Sequence, residues 1–202
     1  MSVATLVDPV TDHLLTPQNA ALVIIDYQPV QVGSVASMDR RTLVLNVTTV
    51  ARLAKLFKLP VVITTVNVAT GINQPTIHQI ADLFPGVEQY DRTTLNAWED
   101  PRVLVAVKAT GRKKLIMVAL WTEVCLAFPA LSALRDGYEV FPVVDAVGGT
   151  SLAAHEAGLR RIIRAGAQPT GWVGLACELQ RDWARKETVP EFADLVFVVE
   201  GK

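Results

Sequence analysis

A chain of 202 residues, half of them hydrophobic and 19% charged, with a net charge of -1, is long enough to bury the core of one domain without disulfide staples. That composition excludes a disordered or solvating chain, and the balanced charge, with no basic run longer than Arg112-Lys113-Lys114, excludes nucleic acid and anionic membrane as partners. Apolar runs such as Leu115 to Leu120 fall far short of the ~20 residues of a membrane span, and no basic-then-apolar leader opens the chain, so a cytoplasmic protein is expected.

In chain order, apolar runs of strand length alternate with helical patterns, the signature of a parallel sheet covered by helices in a single domain over 1–202, its core at about 19–185. Residues before about Gln18 carry little pattern. A first strand, Ala21 to Asp26, ends in a carboxylate. A helix from about Asp39 to Phe57 stops before Pro60, and a second strand runs from Val61 to Val66. The stretch from Asn67 to Asn96, rich in Gly, Pro, Asn and Thr, is too long for an idle connection. It starts at the carboxyl end of a strand, where open parallel sheets bind ligands, so it is expected to wall the active site.

Asp100-Pro101 supplies a cap and a first-turn proline for a helix to Thr110, which Gly111 ends. The strand Lys114 to Leu120 leads into a helix starting near Thr122 and closed by Asp136-Gly137. A strand from Tyr138 to Val144, a helix from Leu152 to Arg164 that stops at Gly166, and a strand from Ala167 to Val173 complete the core. Beyond about Glu187 the pattern fades, and Asp194 to Val199 reads either as a final strand or as a subunit contact.

Two cysteines make no disulfide framework, so each is either a reactive thiol or a small buried hydrophobe. Cys125 falls in the first turn of the helix after the strand Lys114 to Leu120, where free N–H groups and the helix dipole lower a thiol pKa and can bind an oxyanion. Asp26, at the carboxyl end of another strand, faces the ligand crevice; it either accepts a proton from the thiol or caps the local loop. Cys177 lacks such company and reads as structural. The histidines, His13, His78 and His155, show no ligand spacing, and no glycine-rich phosphate loop follows a strand, so neither a metal nor a nucleotide cofactor is expected.

Ile25-Asp26-Tyr27-Gln28, then Asn96-Ala97-Trp98, then Trp121-Thr122-Glu123-Val124-Cys125 resemble, in order and separation, the signature segments of the isochorismatase-like cysteine hydrolases. The likeness spans about Asn19 to Trp183 and looks closest to the YcaC-type branch. It implies an α/β fold with a six-stranded, Rossmann-like parallel sheet and helices on both faces. It further implies a triad of nucleophile Cys125, base Asp26 and a cation, and hydrolysis of a small amide or related acyl substrate through a thioester. Many members carry lysine where this chain has Arg92, which stays protonated and supplies only fixed charge and hydrogen bonds. The resemblance also implies a cis peptide at Leu120-Trp121, with the N–H groups of Trp121 and Cys125 as oxyanion donors. It further implies a homo-oligomer, an octamer being one form.

Gln28, Asn96, Trp98, Trp121 and Thr122 are the candidates for substrate contact. Trp98, Trp121 and Phe84 line a small pocket or pack the core. The zinc-binding Asp-x-His pair of nicotinamidase-like members has no counterpart in Asn67 to Gly71. Two other readings of the same fold are an oligomeric binding module that has lost turnover and a thiol redox sensor.

Overall fold

The computed structural model describes residues 7–198. Five parallel strands, β1 (Ala20–Ile25), β2 (Val61–Val66), β3 (Gln89–Arg92), β4 (Lys114–Ala119) and β5 (Glu139–Pro142), form one sheet in the order β3-β2-β1-β4-β5. β1 and β4 are buried along their whole length, as their unbroken apolar sequences require of central strands covered on both sides. Among the helices, α1 (Pro29–Gly33), α2 (Arg40–Leu56), α3 (His78–Ala81), α4 (Pro101–Ala109), α5 (Ala127–Arg135), α6 (Leu152–Arg164), α7 (Trp172–Gln180) and α8 (Val189–Ala193), α2 packs with α3, α7 and α8, while α5 packs with α6. No helix among the described residues is long and apolar enough to cross a membrane.

Helix starts follow their side-chain caps. Asp39 accepts from the N–H of Thr42 at 2.8 Å and opens α2; Asp100 accepts from Arg102 at 2.8 Å and opens α4, with Pro101 first in the helix. Gly111 and Gly137, both at positive φ (66° and 83°), turn the chain after α4 and α5.

The sheet departs from expectation at both edges. It has five strands, not six. β3 lies inside the stretch expected to be irregular: Gln-Tyr-Asp-Arg has no apolar run, yet it pairs with β2 from Ile63 to Val66. At the other edge, the expected strand Ala167 to Val173 shrinks to a bridge between Val143 and Thr170. Gln168 donates to the carbonyl of Val140 and Thr170 to that of Pro142, at 2.8 and 3.0 Å, but Pro142 has no N–H to return a bond, and Trp172 already belongs to α7. At the C-terminus Asp194–Val198 winds as a π-helix rather than a strand; Val199, the end of that expected segment, lies outside the described residues.

The strand order reverses between β1 and β4, which are neighbours although β2 and β3 intervene in sequence. Ile25 pairs with both Thr64 and Ala119, so the carboxyl ends of β1, β2 and β4 lie level there, at the switch point where such sheets open a crevice.

Candidate active site

Asp26 is the residue after β1 and adopts φ 59°, a left-handed conformation that aspartate tolerates better than most residues. Its N–H donates to the carbonyl of Thr64 at 3.0 Å and its carbonyl accepts from Gln28 at 2.8 Å, so the turn is fixed on both sides. The side chain is fully buried. Arg92 ends β3, in register with Val66, and is 3% exposed. Its Nη2 donates to Asp26 Oδ2 at 2.6 Å and its Nη1 donates to the carbonyl of Thr94; its Nε is buried and has no hydrogen-bond partner. Thr64 Oγ1 stands 3.5 Å from Asp26 Oδ1.

Cys125 reaches the same point from β4. The Leu120-Trp121 peptide is cis, as the resemblance implied, and Thr122–Leu126 forms a π-helical turn before α5 begins at Ala127. The sequence places Cys125 in the first turn of an α-helix; the structure instead inserts this wider turn, a feature frequent at functional sites. Cys125 is 6% exposed, and its thiol lies close enough to the Asp26 carboxyl and the backbone N–H of Trp121 for both to act on it. The three residues of the implied triad therefore meet, brought from the ends of β1, β3 and β4.

The electrostatics differ from the sequence expectation. A thiol at a helix start should be acidified, but burial pushes Cys125 up, and the nearby Asp26 carboxylate pushes it further. Arg92 and the Trp121 N–H oppose that shift without reversing it. Burial also raises Asp26, against the opposing influence of Arg92, Cys125 and Thr64. The arrangement holds a neutral thiol beside a carboxyl of increased basicity, with a permanent cation on its Oδ2.

The remaining candidates all bond or pack against the protein's own groups. Gln28 is buried and fully engaged: its Oε1 accepts from the N–H of Val66 at 2.9 Å, and its Nε2 donates to the carbonyls of Val66 and Gln74 at 3.1 and 2.6 Å. Asn96 caps the 3-10 turn Ala97–Glu99 through Trp98 N–H and donates to Glu99 and Ser132. Trp98 donates from Nε1 to Asp136 at 2.8 Å and meets Tyr138 edge to face. Trp121 donates from its indole to Ser34 Oγ at 2.8 Å, and buried Thr122 bonds His155 Nδ1 at 2.8 Å. Phe84 packs against the core, and Cys177 is exposed in the middle of α7.

Sequence reasoning missed Glu123, Thr150 and the pair Gly148-Gly149, which embrace the cysteine's turn. A Gly-Gly-Thr run three residues after Asp145 was the available signal. A cavity of about 410 Å³, lined by Asp12, His13, Lys114 and Glu139 among others, lies at the opposite end of β1, β4 and β5, away from this cluster.

Comparison with known proteins adds the following. The isochorismatase domain model matches residues 20–173. The chain is 39% identical over 170 residues to the probable hydrolase YcaC of Escherichia coli strain K12, covering 84% of this chain and 81% of that protein. Two solved structures, YcaC of Pseudomonas aeruginosa with hexane-2,5-diol and covalent acrylamide, and E. coli YcaC, an octameric hydrolase of unknown specificity, each superpose with a TM-score of 0.83 at 34% identity, over 94% of this chain and 98% of theirs.

Proposed function

The chain belongs to the isochorismatase family, and from that premise we propose that it is a hydrolase in which Cys125 attacks a small amide or related acyl carbon. The observation that carries this reading is the meeting of buried Cys125 with buried Asp26, whose Oδ2 accepts from Arg92 at 2.6 Å. As sulfur bonds to the carbonyl carbon, the thiol proton passes to Asp26 and the carbonyl oxygen gains the negative charge. The backbone N–H groups of Trp121 and Cys125 are suited to stabilise it. The oxygen's charge then returns, the C–N bond breaks, and Asp26 hands its proton to the departing amine, leaving a thioester. Water gives its proton to Asp26 while attacking that thioester, and the acid departs as the proton returns to sulfur.

Arg92 keeps its proton throughout and serves by orienting Asp26. A thiol raised by burial favours proton transfer concerted with attack over a standing thiolate. That property also weighs against the redox-sensor reading, which needs an acidic, accessible thiol. The covalent acrylamide on the P. aeruginosa relative supports a nucleophile on this fold, since acrylamide is an electrophile that thiols add to. The octameric E. coli relative supports a homo-oligomer here as well. The test is mass spectrometry after incubation with a library of small amides. The expected result is an acyl adduct on Cys125 and none in Cys125→Ser; undiminished amide hydrolysis by Cys125→Ser would overturn the proposal.

A further inference from the structure

Two segments carry the reacting pair: β1 with the loop behind it, and the turn Thr122–Leu126. Gly148, Gly149 and Thr150 lie between them as a strap. Gly148 bridges Leu120, and its carbonyl accepts from Thr122 N–H at 2.9 Å. Gly149 holds the loop downstream of Asp26: its carbonyl accepts from Ala36 N–H at 3.0 Å and its N–H donates to Ser37 Oγ at 2.9 Å. Thr150 donates twice to Glu123 Oε1, from its N–H at 3.0 Å and its hydroxyl at 2.6 Å.

The fit leaves no slack. A Cβ on Gly148 would lie 2.6 Å from Val35 Cγ1, and one on Gly149 would lie 2.7 Å from Glu123 Oε2 and 2.9 Å from His155 Cβ. Glu123 Oε2 is buried without a hydrogen-bond partner, a cost that packing alone does not require. What the carboxylate gains is its grip on Thr150.

We propose that Glu123 is a positioning residue: through Thr150 it fixes the Gly148–Thr150 strap, and the strap holds the Cys125 turn against the β1 side that carries Asp26. This rests on the proposed role of Cys125. Glu123 touches no reacting atom; it acts two residues away by setting where the turn sits against the β1 side. If the strap loosens, solvent reaches the thiol and it draws away from Asp26, while the Arg92 charge still acts on it. The thiol then becomes more acidic and hydrolysis becomes slower, since proton transfer to Asp26 is impaired.

The experiment titrates Cys125 through the pH dependence of iodoacetamide alkylation in the full-length protein, read by mass spectrometry so that Cys177 is not counted; the rate follows the thiolate fraction, so a shift is read below the thiol's own midpoint, where the protein stays folded. Glu123→Ala should move the titration down by about one pH unit or more, the size usual for relieving burial or a close like charge. Thr150→Val, which removes only the hydroxyl donor, should move it less in the same direction. Glu123→Gln, whose amide oxygen can still accept from Thr150, should restore most of the wild-type profile. A merely structural role would lower the melting temperature and leave the titration in place. Glu123→Ala and Thr150→Val titrating as the wild type would overturn the inference, and if Glu123→Ala does not fold, Thr150→Val decides. Failure of the hydrolase reading is separate: the wild type would then form no acyl adduct, whereas these titrations need no substrate.

Discussion

Cys125 and Asp26 are each pushed toward the protonated form by burial, and this has a measurable thermodynamic result. The unfolded thiol ionises through its ordinary value of 9.0, while the native thiol stays protonated well above it. Above that pH the unfolded state binds fewer protons than the native one, so the stability this thiol contributes is intact below 9.0 and is lost as pH rises toward the native value, at about 1.4 kcal/mol per pH unit. Urea unfolding of the wild type and Cys125→Ala across the alkaline range should therefore show a shallower decline in the variant; parallel curves would mean an ordinary thiol. Arg92→Ala should cost about 3–5 kcal/mol at neutral pH, because it leaves Asp26 buried without its cation, and less in acid, where Asp26 takes up a proton. Asp26 and Cys125 stood out as members of signature segments that follow apolar strands, whereas Arg92 was reached only through the resemblance, at the place of a lysine, because β3 carries no apolar signal. The direction of the thiol's shift was not legible, because it depends on depth of burial, which tertiary packing sets and local position does not.

At the scale of elements, sequence reasoning succeeded where one local signal decides. Asp39 and Asp100 mark the starts of α2 and α4 because a carboxylate can satisfy first-turn N–H groups, and the apolar runs of β1 and β4 mark central strands. It failed where neighbours decide. β3 is polar and becomes a strand because β2 offers it an edge, and Ala167 to Val173 loses strand character to a proline in the partner strand. The signature residues Gln28, Asn96 and Thr122, candidates for substrate contact, also bond the protein's own groups, partners that only three dimensions reveal. Gln28→Leu should accordingly act on stability. It orphans the Val66 N–H and the carbonyls of Val66 and Gln74, at about 1–3 kcal/mol for each group that water cannot reach. The midpoint of urea unfolding should fall, with Cys125 still able to form an acyl adduct; a variant of full stability that forms no adduct would return Gln28 to the substrate.

At the scale of the whole molecule, the parallel sheet and its helices were legible from the alternation of apolar runs, but the outer surface was not, since exposure of a side chain depends on what the fold leaves uncovered. Trp183 and Phe197 are each 61% exposed, and their rings stack with centroids 6.2 Å apart and planes 7° from parallel, with Trp183 also edge-on to buried Phe192. Two large aromatic faces side by side in water are a cost that association relieves. With the octameric E. coli relative in view, we expect the chain to assemble and this aromatic pair to lie in a subunit contact. Light scattering should give a mass that is a multiple of 21.9 kDa, and Trp183→Glu, which places a charge where a dry contact would form, should shift the protein to smaller species with little loss of monomer stability. A wild-type monomer at micromolar concentration would refute assembly, while an unchanged mass in Trp183→Glu would move the contact to another surface and leave the aromatic pair unexplained.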